Sequence, residues 1–143
     1  MVIVDTSAWI EFFRRDGDPA VKLAMKALVE QLEATLCGPV EMEFLGGARP
    51  HERPRIQSRF EILPYLSNDQ KLWREAATHY ATLRGEGITL PWNDALIATL
   101  AIKQDCRVYA VDQHFEAMAQ HLNLRLYEPG YNGSYAPECE QRE

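Results

Sequence analysis

Three strand formers without a break, Val2, Ile3 and Val4, open the chain and run straight into Asp5. Such a run predicts a strand buried on both faces, with an acid at its carboxyl end. Residues 6–14 follow as a short helix capped by Asp5, Thr6 or Ser7, and the turn DGDP at 16–19 ends it. From Pro19, the residues Val21, Met25, Leu28 and Leu32 recur on one helical face, predicting a second helix to about residue 34. Residues 35–37 read as a brief strand, Gly38 and Pro39 start a third helix, and Gly46 and Gly47 loosen or stop it. A helical stretch from Arg55 and a short edge segment or loop over 60–65 lead to a stronger helix over 69–84. It carries Leu72, Ala76, Tyr80 and Leu83 on one face and takes Ser67 or Asn68 as its cap. The helix over 91–104 is apolar around most of its circumference and is predicted to be buried. A strand at 107–111, a helix at 112–121 and a last short strand at 124–127 complete the pattern. Residues 128–143 lack periodicity and read as a mobile tail on a single domain spanning 1–127. Strands alternating with helices predict an α/β fold, a parallel sheet flanked by helices and joined by right-handed crossovers.

Composition narrows the class. A chain of 143 residues, 46% hydrophobic and 25% charged, buries a core without disulfides or a structural metal. The longest apolar run, 95–102, is too short to cross a bilayer, and the N-terminus lacks the basic start and cleavage site of a signal peptide, so a cytoplasmic protein is expected. Cys37, Cys106 and Cys139 are widely spaced and form no CxxC pair, reading as two core residues and a thiol in the tail. The net charge of −6 argues against a broad basic face for nucleic acid. Its distribution changes that picture, because collecting several acids into one site leaves the remaining surface nearer neutral. Arg49, His51, Arg53, Arg55 and Arg59 stand against Glu52 alone, and Arg14 and Arg15 follow the first helix. This group reads equally as a solvated basic turn and as a contact for phosphates.

The acids carry the candidate chemistry. Asp5 and Asp112 each follow an apolar strand and precede a helix, where a single Asp is explained as an N-cap. Asp94 lies in a first helical turn, where a carboxylate suits the helix dipole. Together they occupy strand ends or the starts of helices leaving them, which in a parallel sheet is one edge of the molecule. Glu41 and Glu43 are two residues apart on a helix and cannot face the same site. With Pro39 at the first helical position, Glu41 is explained by the free amides of the helix start, whereas Glu43 has no such role and precedes Gly46 and Gly47.

In VDTSAWIEFF, PVEMEFLGGAR, LPWNDALIATLA and VYAVDQHFEAM, in this order and spacing, the chain resembles the PIN-domain ribonucleases, and among them the VapC toxins of bacterial toxin–antitoxin pairs. The resemblance covers residues 1–127. It implies a PIN-like three-layer fold with a mostly parallel central sheet of four to five strands. It also implies a metal-dependent endoribonuclease, an antitoxin partner and a homodimer. Asp5 and Asp94 are then the nearest metal ligands, with Glu43 and Asp112 acting directly or through water, and Thr6 or Ser7 holding Asp5. Arg49, Arg53 and Arg55 become candidates for contact with RNA.

The physics of the residues agrees with that chemistry. Two carboxylates roughly 5 Å apart at an effective dielectric near 20 repel by about 3 kcal/mol. Asp5, Glu43, Asp94 and Asp112 therefore stay ionised together only around a divalent cation; otherwise some hold protons at raised pKa. Oxygen ligands suit Mg²⁺ or Mn²⁺, which would polarise a phosphodiester and activate a water. The sequence departs from many relatives at Ala110, where a Thr or Ser usually stands two residues before the last acid, which bears on the role of Asp112. His114 reads as a surface helix residue rather than a general base. Trp9, Trp73 and Trp92 read as core or interface, with Trp92 the one candidate for stacking on a base. Trp9, Phe12 and Phe13 suit either an antitoxin groove or the core. The competing readings are a catalytically silent PIN-like module that binds RNA or protein, and another small metal-dependent phosphoesterase such as a DNase.

Overall fold

In the computed structural model, which describes residues 1–138, β1 (Val2–Val4) has no solvent exposure at any residue. It pairs in parallel with β2 (Ala34–Cys37) on one side and β4 (Arg107–Tyr109) on the other, while β3 (Tyr65–Leu66) extends the sheet beyond β2. The four-stranded order is β3-β2-β1-β4, all parallel, which fulfils the expected sheet. A central strand covered on both faces must be apolar throughout, and VIV is. Because the chain adds β2 and β3 to one side of β1 and then crosses to add β4 on the other, strand order reverses between β1 and β4. In open α/β sheets the crevice beyond the strand ends at such a reversal is where ligands bind.

Helices flank the sheet: α1 (Thr6–Phe13), α2 (Pro19–Glu30), α3 (Gly38–Gly47), α4 (Arg53–Phe60), α5 (Gln70–Gly85), α6 (Trp92–Lys103) and α7 (His114–His121). Every residue of α6 from Asp94 to Ala101 is buried, as its all-round apolar pattern requires. Trp9 is 1% exposed and sits among the rings of Phe12, Phe13 and Phe60, so it belongs to the core.

Several boundaries differ from the sequence pattern for local reasons. The second helix stops at Glu30 rather than near residue 34, because Leu32 takes a left-handed φ of 55° and Glu33 N donates back to Leu28 O, turning the chain into β2. Leu32 is consequently exposed and off the buried face. The cap of α5 is Asp69, whose Oδ1 accepts from Leu72 N at 2.9 Å, and not Ser67 or Asn68. Residues 124–127 form no strand of their own but make one parallel bridge, Val108 to Leu126.

Residues 128–138, expected to be a mobile tail, lie against the domain. Arg107 Nη1 donates to Ala136 O at 2.8 Å, and its guanidinium lies 4.9 Å from the Tyr127 ring centroid. Arg125 pairs with Glu138 at 3.0 Å, and Gly133 sits so close to α2 that an added Cβ would meet Leu23 Cβ at 2.8 Å. Single polar and aromatic anchors of this kind leave no periodic trace in a sequence. The rest of the predicted tail, 139–143 with Cys139, lies outside the described residues. Cys37 and Cys106 are buried and unpaired, and burial pushes the Cys37 thiol up to about 12.

Candidate metal centre

Asp5 continues the β1–β4 ladder by one bond, its backbone N donating to Tyr109 O at 2.9 Å, before the chain turns into α1. Its carboxylate then caps that helix: Oδ2 accepts from Ser7 N at 3.1 Å and from Ser7 Oγ at 2.7 Å. The same hydroxyl accepts from Val111 N at 3.0 Å, tying the exit of β1 to the exit of β4. Ser7 thus hydrogen-bonds to Asp5, Asp5 itself is the cap of α1, and Thr6 makes no side-chain bond to it. Thr6 Oγ1 is buried with no hydrogen-bond partner among the described residues.

Asp94 enters from the first turn of α6 and is 6% exposed. Its Oδ2 lies 2.7 Å from His114 Nδ1, and Asp112 Oδ1 lies 3.9 Å from the same nitrogen. Asp112 Oδ1 also accepts from His114 N at 3.0 Å, so the turn after β4 folds the histidine back over the acid. Ligand atoms of Asp94, Asp112 and His114 all lie within 4.8 Å of one another. His114 is half-exposed in the first turn of α7, as a surface helix residue is, and its Nδ1 in addition hydrogen-bonds to Asp94. The one signal for it in the sequence is its place two residues after a strand-end Asp, where an Asx turn brings the next helix start across the acid.

Glu43 is exposed on α3, and its Oε2 accepts from Asn93 Nδ2 at 2.7 Å, beside Asp94 in the chain. Asn93 carries no charge and no periodicity, and sequence reasoning passed over it. Glu41 acts on the opposite side, where its charge helps raise the Tyr65 hydroxyl after burial.

The acids share one field. Burial pushes Asp5 up from 3.8 to about 7, the two Ser7 bonds oppose the rise, and Asp112 and Asp94 add to it. Burial likewise raises Asp94, the His114 hydrogen bond opposes it, and Asp112 and Glu43 reinforce it. Raised carboxylates and a cluster of two carboxylates with one imidazole nitrogen are what a divalent cation would satisfy.

Beside the acids runs a groove of about 820 Å³ with Glu43 in its wall. Ile10, Phe13 and Phe44 supply its apolar lining, and Arg14, Arg15, Arg49 and Arg55 bring positive charge to it. Four arginines singled out in the sequence thus line one groove, while Arg53, outside that lining and exposed, donates from Nε to Leu45 O at 3.2 Å near the end of α3. A Cβ at Gly46 or Gly47 would meet nothing within 4 Å, so packing does not demand either glycine. Trp92 is 60% exposed, its ring 6.1 Å from that of Trp73. Among the described residues no helix is long and apolar enough to cross a membrane.

A PIN-domain family model matches residues 2–120. The VapC ribonuclease Mb1587 of Mycobacterium bovis is 35% identical over 129 residues, covering 87% of this chain and 96% of the relative. Among solved structures, FitAcB from Neisseria gonorrhoeae superposes with a TM-score of 0.71 at 18% identity, covering 90% of this chain and 97% of that one. A toxin–antitoxin complex from Klebsiella pneumoniae gives a TM-score of 0.66 at 18% identity over 79% of this chain and 88% of its own.

Proposed function

The chain belongs to the PIN-domain family, and from that premise we propose that it is a metal-dependent endoribonuclease, the toxin of a toxin–antitoxin pair. The observation that carries this reading is the cluster of Asp94, Asp112 and His114, whose ligand atoms all lie within 4.8 Å of one another, with Asp5 close enough for both acids to raise it and Glu43 close enough to raise Asp94. Burial makes Asp5 and Asp94 poor at keeping a bare charge, so they hold a cation most firmly, while exposed Glu43 and half-buried Asp112 complete the set from the rim. Mg²⁺ or Mn²⁺ would supply the positive charge that polarises a phosphodiester and acidifies a nearby water.

The chain's own residues do the rest. Ser7 fixes the Asp5 carboxylate, and Asn93 fixes Glu43 at the mouth. Arg14, Arg15, Arg49 and Arg55 draw an RNA backbone along the groove that leads to Glu43. The groove's apolar lining, with Phe13 and Phe44, suits a peptide segment of an antitoxin, whose occupation would keep RNA from the acids. A homodimer belongs to the same reading.

Incubation of single-stranded RNA and DNA with the protein tests it. Cleavage of RNA in Mg²⁺ or Mn²⁺, abolished by EDTA and by Asp94→Asn, is the expected result. Full cleavage in EDTA, or equal cleavage of DNA, overturns it.

A further inference from the structure

We propose that His114 is a direct ligand of the metal, so that this chain's site is a mixed nitrogen and oxygen site selective for Mn²⁺ over Mg²⁺. The inference rests on the metal-nuclease reading and concerns which atoms hold the ion.

The geometry comes first. Around an ion with metal–ligand distances near 2.1 Å, neighbouring ligand atoms lie about 3.0 Å apart and opposite ones about 4.2 Å apart. His114 Nδ1 lies 2.7 Å from Asp94 Oδ2 and 3.9 Å from Asp112 Oδ1, separations that belong to one coordination shell. The ring is held there by its backbone, since His114 N donates to Asp112 Oδ1 at 3.0 Å at the start of α7. Without a cation, Nδ1 and Asp94 Oδ2 share a hydrogen bond of 2.7 Å. With one, the neutral ring carries its proton on Nε2 and turns the Nδ1 lone pair inward, as ligand histidines do.

Selectivity follows from the donor. Mg²⁺ is bound by oxygen, demands near-ideal octahedral geometry and keeps its waters, whereas Mn²⁺, also an oxygen-binding ion, is a first-row transition metal and accepts a nitrogen ligand more readily than Mg²⁺ does. Exchanging one oxygen or water for an imidazole nitrogen gains little for Mg²⁺ and more for Mn²⁺.

Mn²⁺ titration followed by electron spin echo envelope modulation tests the inference on the full chain. The Mn²⁺-loaded protein is expected to show the modulation of a directly bound ¹⁴N, replaced by the ¹⁵N pattern in uniformly labelled protein and lost in His114→Gln and His114→Ala. The same variants should lose about 10-fold in Mn²⁺ affinity and less than twofold in Mg²⁺ affinity. Mn²⁺ that binds with no nitrogen coupling and with equal affinity in wild type and both variants overturns the ligand and leaves the metal nuclease intact. Mn²⁺ binding that survives Asp94→Asn unchanged overturns both.

Discussion

Val111 N donates to Ser7 Oγ at 3.0 Å, while that hydroxyl donates to Asp5 Oδ2 at 2.7 Å, so a residue at the start of the chain locks the loop that carries Asp112. The hydroxyl is a hinge pin between the exits of β1 and β4, and the placing of two acids depends on it.

Ser7→Ala should therefore cost about 1–3 kcal/mol, because it leaves a buried carboxylate and a backbone amide without their shared partner. Urea denaturation measures the loss. The same change should push Asp5 further up, since it removes the Ser7 hydroxyl bond, the stronger of the two that hold Asp5 down, and keeps only the backbone one; the titration of the Asp5 carboxyl carbon by NMR reads that shift directly. An Asp5 that titrates as in wild type would mean that Ser7 is a cap partner and nothing more.

Asp5 makes the cation-free protein sensitive to alkali. Its folded value of about 7 stands above the ordinary 3.8, so the folded state binds this proton more tightly than the unfolded one. The resulting stabilisation is full below pH 3.8 and is lost as pH rises through about 7, a swing of up to about 4 kcal/mol. In EDTA the wild-type melting temperature should fall between pH 5 and pH 8, Asp5→Asn should remove much of that slope while still capping α1, and Mn²⁺ should restore the wild type at pH 8. Superimposable wild-type and Asp5→Asn profiles would contradict the shared field of acids.

The arginines should separate by geometry rather than by number. In an Asp94→Asn background that binds without cutting, Arg14→Ala or Arg55→Ala should weaken RNA binding and flatten the dependence of log affinity on log salt by about 0.7 for each phosphate no longer neutralised. Arg53→Ala should change the salt slope less, because Arg53 does not line the groove. Fluorescence anisotropy across a salt series distinguishes the three, and an equal effect from Arg53→Ala would remove the groove from the RNA path.

Much of the site was legible one residue at a time. Asp5 and Asp112 announced themselves by following apolar strands, and Glu43 was separated from Glu41 by helix geometry alone. His114 was not legible, because a histidine in the first turn of a short polar helix has the same pattern whether it faces water or a carboxylate. Asn93 was hidden for a related reason: its partner is 50 residues away, and no local rule connects an amide to it. Arg53 stood in the same charge cluster as Arg49 and Arg55, and only the fold separates it from them by leaving it out of the groove's lining.

The sequence by itself determined the alternation of strands and helices, the buried strand VIV, the all-round apolar α6 and the family to which the chain belongs. These follow from short-range periodicity and from residues adjacent in the chain, which side-chain direction converts into faces and edges. Tertiary structure alone decided that Ser7 clamps two strand exits, that His114 sits on Asp94, and that 128–138 is anchored through Arg107. Each depends on hydrogen bonds between groups 20 or more residues apart, whose directions are set only once the sheet order β3-β2-β1-β4 has brought β1 and β4 side by side.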